Sequence, residues 1–264
     1  MMESDEEILT EVKDNIGYVV LNRPEKKNAL NSSMRKKLRK TLQTIQEEAN
    51  IKVVVIRGAG GSFCSGQDLE EFVDKQQDNA ELVGEVLREE YLPLIQVLRD
   101  LKKPTVAAIE GAAVGAGLSL ALACDLRLCN SSARFIAGFS RVGFVPDAGA
   151  SWFLPRIIGL GRAIQMFFSS SPLDASTALS WGLVNEVFED SSFDHHVKVY
   201  AENISYASPT TLWLSRKAVN YSLEEWLTDA INYESYLQEA AVHMGMPKEG
   251  ITAFLEKRGP QYKE

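Results

Sequence analysis

Short β-branched apolar runs recur along this chain, and helical spacing follows most of them. Ile8 to Val12 alternate and Tyr18 to Leu21 run apolar around Asp14-Asn15-Ile16-Gly17, which predicts a hairpin. Met34, Leu38, Leu42 and Ile45 recur at helical spacing, with Asn31 or Ser32 as the cap. Lys52 to Arg57 reads as a short buried strand broken by Gly58-Ala59-Gly60-Gly61. Ser62 to Leu69 reads as a short strand entering a turn, and polar residues follow from Asp74 to Asn79. A long amphipathic helix is expected from about Ala80 to Leu101, ended by Lys102-Lys103-Pro104.

The β-branched run Pro104 to Ile109 leads into Gly111-Ala112-Ala113-Val114-Gly115-Ala116-Gly117. An alanine- and leucine-rich helical segment comes next, up to Cys124-Asp125. The glycines are therefore expected at a strand-to-helix turn. Such a turn leaves backbone N–H groups free at the positive end of a helix, and glycine lets a ligand approach them. It suits an anion, or a carbonyl oxygen that becomes one. Leu126 to Cys129 and Ala133 to Ile136 read as strands, and Val142 to Ala150 as a loop. One further strand is expected near Leu183 to Phe188; Ser208-Pro209 starts a helix, and the chain from about Phe193 onward is nearly all helical. The fold class is α/β with a helical C-terminal part, and periodicity alone leaves the topology open.

Composition narrows the setting. The 264 residues are 45% hydrophobic and 24% charged, as in ordinary globular proteins. The net charge of −8 does not favour a nucleic-acid partner. No apolar run is long enough to span a bilayer, and the acidic start Met1 to Glu7 lacks signal-peptide features, so a cytoplasmic protein is expected. Cys64, Cys124 and Cys129 fit neither a disulfide framework nor a zinc motif and read as buried small residues. His195, His196 and His243 have neither triad nor metal partners and read as structural.

Taken together, several stretches resemble the enoyl-CoA hydratase/isomerase (crotonase) superfamily. They are Leu21-Asn22-Arg23-Pro24, Asn28 to Asn31, Phe63 to Leu69, Lys103 to Gly117, Cys124-Asp125, Gly143 to Gly149, Leu154-Pro155-Arg156 and Ala253 to Arg258. The resemblance implies a crotonase-like spiral of ββα turns over residues 1–192. It implies a C-terminal helical trimerisation region over 193–264, giving a homotrimer or dimer of trimers. It also implies an acyl-CoA thioester as ligand, with no metal and no cofactor beyond the coenzyme A of the substrate. Nucleic acid and membrane are not expected partners.

In that family two backbone N–H groups hold the thioester carbonyl; the matching positions are Gln67 and Ala116. The resemblance assigns coenzyme A contacts to Lys27, Ala29, Ser65, Gln67, Asp68 and Leu69, and from a neighbouring subunit to Phe254 and Lys257. Hydratases of the family add water with two glutamates. Ser119 and Phe139 stand at the matching positions, so ordinary syn hydration is not expected. Asp147 stands where several isomerases of the family carry an aspartate, and the resemblance makes it the acid/base; read by itself it is a turn residue capping Ala148 to Ser151. The loop stretches resemble the ring-1,2-epoxyphenylacetyl-CoA isomerase branch. Phe139, Phe144 and Trp152 are then candidate neighbours of an acyl group, or core residues. Dehalogenation, which in the family needs a histidine between Gln67 and the central helix, finds none before His195. The competing expectations are an acyl-CoA isomerase, a hydratase with an unusual acid–base arrangement, and a non-catalytic acyl-CoA-binding scaffold.

Overall fold

The computed structural model describes residues 6–75 and 79–262; part of the polar stretch expected from Asp74 to Asn79 lies outside them. In chain order the elements are β1 (Ile8–Lys13), β2 (Ile16–Leu21), α1 (Ser32–Glu47), β3 (Val53–Gly58), α2 (Leu69–Lys75) and α3 (Ala80–Val86). A π-helical turn, Leu87–Tyr91, joins α3 to α4 (Leu92–Asp100). Next come β4 (Thr105–Ile109), β5 (Ala112–Val114), α5 (Ala116–Ala123), β6 (Leu126–Asn130) and β7 (Arg134–Ile136). They are followed by α6 (Ala150–Ile158), α7 (Leu160–Ser169), β8 (Leu173–Asp174), α8 (Ala175–Trp181) and β9 (Glu186–Phe188). The chain closes with α9 (Phe193–Ser205), α10 (Pro209–Ser222), α11 (Leu227–His243) and α12 (Met246–Glu256).

The strands form a large sheet in the order β1-β2-β3-β4-β6-β9 and a small one in the order β5-β7-β8. Only β1–β2 is antiparallel in the large sheet. Its two-residue turn, Asp14-Asn15, has positive φ at both positions, and Ile16 and Gly17 already belong to β2. The parallel strands need crossovers, and each crossover makes a second pairing on its way. Leaving β3, Cys64 bridges Ala113 of β5; β5 in turn pairs with β7. One step earlier, Leu30 bridges Gln67. Each turn of the chain thus adds to both sheets before its helix. This is the ββα spiral, built on local pairings too short to leave a repeat in the sequence.

Both faces of the large sheet are covered, so its strands read as continuous apolar runs. Val54 and Ile56 of β3 face one core with Leu38 and Leu42 of α1. Val53 and Val55 face the other, which Phe193, Val197 and Ala201 of α9 close.

Three local expectations change. The central strand does not run straight into its helix, because β5 stands between β4 and α5. Gly111 has φ +56°, and a Cβ there would lie 2.3 Å from the Gly61 carbonyl oxygen, so glycine lets the chain leave one sheet for the other. The long helix from Ala80 is interrupted by the π turn just before Pro93, which lacks the N–H needed to continue an α-helical ladder. The two-residue strand β8 had no pattern to announce it.

Asp125, at the end of α5, fastens the C-terminal helices to the spiral. Its Oδ2 accepts from Thr105 N–H at 2.9 Å, Thr105 Oγ1 at 2.9 Å and Arg216 Nη1 at 2.8 Å. Arg216 also donates to the Leu101 carbonyl, and Arg99 lies 3.6 Å from Asp125 Oδ1. Asp125→Ala leaves two part-buried guanidinium groups short of their anion. It is expected to lower stability by about 2–3 kcal/mol in urea denaturation.

Candidate active site

Two turns meet beside a cavity of about 230 Å³. The first, Cys64 to Gln67, follows β3; the second, Gly115-Ala116, opens α5. Their register is fixed by a pair of backbone bonds, Cys64 N–H to Ala112 O at 3.0 Å and Val114 N–H to Cys64 O at 2.9 Å. Contact is too close for side chains. A Cβ on Gly66, at φ +97°, would lie 2.8 Å from Val114 O, and one on Gly117 would lie 2.5 Å from Cys64 O. The Leu30 strand segment takes bonds on both sides of Gln67, giving to Gly66 O and receiving from Asp68 N–H. The N–H of Gln67 itself is thereby turned the other way, as in a parallel ladder. Among the described residues neither Gln67 N–H nor Ala116 N–H has a hydrogen-bond partner. Both residues line the cavity.

Asp147 lines the same cavity on the loop before α6. Its side chain does not cap that helix: the capping position is Gly149, and no side chain bonds there. Oδ1 is buried with no partner among the described residues. Burial pushes its carboxyl up to about 6. The backbone, by contrast, is tied through its carbonyl. Asp147 O accepts from Ala150 N–H at 2.9 Å and from the hydroxyl of Ser119 at 3.1 Å. Ser119 is fully buried on α5, so it acts on the loop rather than in the cavity. The sequence offered no signal for this tether except a serine in an otherwise apolar helix.

Apolar side chains supply most of the remaining wall. Phe139 and Phe144 are among them, with Leu69, Phe72 and Val86. Trp152 is not: it is 39% exposed, edge-on to Phe153 and covered by Arg156. The helical period explains the difference, because Trp152 and buried Phe153 leave α6 on different faces.

Of the expected coenzyme contacts, Ser65 and Leu69 line the cavity with Gln67 and Ala116. Lys27 is exposed in a left-handed turn whose carbonyl accepts from Ser65 N–H at 2.9 Å. Ala29 is buried and its carbonyl accepts from Arg23 at 2.6 Å. Asp68 is buried outside the cavity wall. Its Oδ1 caps α2 through the Glu70 and Glu71 N–H groups, and its Oδ2 pairs with Arg23 at 2.9 Å. Burial alone would raise this carboxyl, but those bonds and the Arg23 charge hold it below the usual range. Phe254 of α12 is 82% exposed and Lys257, the left-handed residue that ends α12, is exposed; neither lines the cavity within one chain.

Sequence reasoning missed the network beneath Gln67. Arg35 is buried; its Nε donates to Glu90 Oε2 at 2.8 Å and its Nη1 to Leu30 O at 2.7 Å. The same Nη1 reaches Gln67 Oε1 at 3.0 Å, and the Tyr91 hydroxyl donates to that oxygen too. The π turn brings consecutive Glu90 and Tyr91 to one guanidinium. The buried Cys64 thiol is pushed up to about 12 and is no nucleophile at neutral pH.

The two sheets and their crossovers define a crotonase fold, with two free backbone donors and a carboxyl group lining one largely apolar cavity. The chain belongs to the enoyl-CoA hydratase/isomerase family, whose pattern matches residues 11–264. It is 37% identical over 96% of both chains to a probable enoyl-CoA hydratase of Rhodobacter capsulatus. It is 33% identical over 97% of both chains to the 1,2-epoxyphenylacetyl-CoA isomerase of Escherichia coli K12. The crystal structure of an enoyl-CoA hydratase from Bacillus anthracis superposes with a TM-score of 0.92 at 31% identity, covering 98% of this chain and 99% of that one.

Two stability outcomes follow from this geometry. Gly117→Ala pushes α5 off Cys64 and is expected to lower stability by about 1–3 kcal/mol in urea denaturation. Asp147→Asn acts in the opposite direction. A carboxyl raised from the ordinary 3.8 to about 6 makes the ionised form costly in the folded state, by about 3 kcal/mol. That deficit is absent below pH ~4, grows between pH ~4 and ~6, and is complete above. Asn is therefore expected to raise Tm at pH 7 and leave it nearly unchanged at pH 4 in calorimetry.

Proposed function

We propose that the protein is an acyl-CoA isomerase that shifts a double bond, or rearranges an aromatic-ring epoxide, through an enolate. The thioester oxygen lies between the Gln67 and Ala116 N–H groups. Asp147 carboxylate takes a proton from one carbon of the acyl group. The electron pair moves onto the thioester oxygen, where the two N–H groups and the N-terminus of α5 stabilise it. The resulting carboxylic acid returns the proton to another carbon, so the acyl group changes its bonding and not its mass.

One observation carries this reading: Asp147 is the only carboxylate among the described residues lining the cavity, and its Oδ1 is unpaired. Paired-glutamate hydration finds no second acid, since Phe139 is apolar and Ser119 holds the loop. The apolar wall suits a hydrophobic or aromatic acyl group, in line with the name of the Escherichia coli relative. Ser65, Leu69, Lys27 and the Ala29 backbone would line the path of the coenzyme, beside the capped turn at Asp68. Exposed Trp226, Leu227, Ile231, Phe254 and Leu255 on the last helices support a homotrimer or dimer of trimers. In that assembly Phe254 and Lys257 would reach a neighbour's coenzyme. No described helix is long and apolar enough to cross a membrane.

Incubation with 3-enoyl-, 2-enoyl- and aromatic-epoxide acyl-CoA esters in deuterated water tests the reaction. Isomerisation with solvent exchange is expected; addition of water to the product would favour a hydratase. Asp147→Asn is expected to retain ester binding and lose about 10²–10⁴-fold in exchange rate. Exchange at the wild-type rate would remove Asp147 as the base. Because the carboxylate is the working form, kcat/KM is expected to fall as pH drops through about 6 and to level off above it.

A further inference from the structure

The backbone of Gln67 supplies a proposed oxyanion donor, but its side chain brings a separate carboxamide to the cavity wall. Gln67 Oε1 accepts from Arg35 Nη1 at 3.0 Å and from the Tyr91 hydroxyl. A guanidinium can only donate, so the amide cannot turn over: its oxygen has to face Arg35. Arg35 is itself held by Leu30 O and Glu90, and Tyr91 is buried. Both acceptor positions of Oε1 are thereby filled. Nε2, carrying two N–H donors, is buried with no partner among the described residues. Phe72, Val83, Leu87, Phe139 and Phe144 of the same cavity wall are apolar, and its carboxylate, Asp147, makes no hydrogen bond to Nε2, its own Oδ1 being unpaired as well. A buried donor held in place and unpaired is a group to which a ligand can contribute the missing acceptor.

We infer that the Gln67 carboxamide determines specificity, donating from Nε2 to an oxygen on the acyl group other than the thioester carbonyl. The site then prefers acyl groups that carry an oxygen acceptor over hydrocarbon groups of the same shape. Arg35 and Tyr91 are positioning residues for this contact, acting through Gln67 Oε1. The inference rests on the acyl-CoA reading of the cavity, but not on Asp147 as the base.

Binding of saturated esters, which have no double bond to shift, separates the two. Cyclohexylacetyl-CoA is compared by calorimetry with the three tetrahydropyranylacetyl-CoA isomers, in which one ring CH₂ is an ether oxygen. Wild type is expected to bind the best-placed oxygen isomer about tenfold more tightly than the carbocycle. Gln67→Leu keeps the size and removes the donor, and is expected to abolish or reverse that ratio. Gln67→Glu keeps acceptors for Arg35 and Tyr91 while replacing the donor, and is expected to lose the same preference at pH 7. A purely structural Gln67 would weaken all four esters together and leave their ratio as in wild type, which would overturn the inference. So would equal affinity of wild type for all four, as when a fixed water satisfies Nε2. Failure of wild type to bind any of them overturns the acyl-CoA reading and this inference with it.

Discussion

The structure depends on one short pairing, Cys64 against Ala113. Two backbone hydrogen bonds there set the register between the turn after β3 and the turn before α5. Everything placed around the cavity inherits that register. Gly66 and Gly117 make the approach possible because each stands where a Cβ would overlap backbone of the opposite turn. Their role is steric before it is chemical: they bring two amide groups side by side without committing any side chain to the task.

Around this fixed pair the two remaining parts are held by unlike means. Asp147 is anchored through its carbonyl, so its carboxyl stays unpartnered and its acidity is set by burial. Gln67 is anchored through its side-chain oxygen, which leaves its amide nitrogen unpartnered, while the Leu30 ladder on either side leaves its backbone N–H unpartnered too. In each case the protein satisfies the half of the group that faces inward. A site meant only for folding would not leave a buried donor and a buried acid unpaired in one cavity, since each lowers stability in the empty state.

Much of this was legible along the chain. Asn31 and Ser208 announced their helices because capping is local, and the β3 and β4 runs announced a sheet covered on both faces. The turns at Gln67 and Ala116 were legible as order and spacing of small residues. The rest depends on distance in sequence. β5 spans three residues, too few to show a period, and exists because Cys64 and β7 flank it. The Arg35–Gln67–Tyr91 cluster joins positions 32, 56 and 24 residues apart, and it needs the π turn that Pro93 favours. Trp152 stays open between cavity and core in the sequence because loop and helix cannot be phased from sequence alone at the start of α6.

The Ser119 hydroxyl limits what else its position can hold. The family resemblance aligns it with one of the paired glutamates of the hydratases, and in the structure it holds the loop bearing Asp147. Exchanging it for glutamate would release that loop and place a charge at a position with no solvent exposure. An acid at this position therefore calls for a changed loop as well as a changed helix.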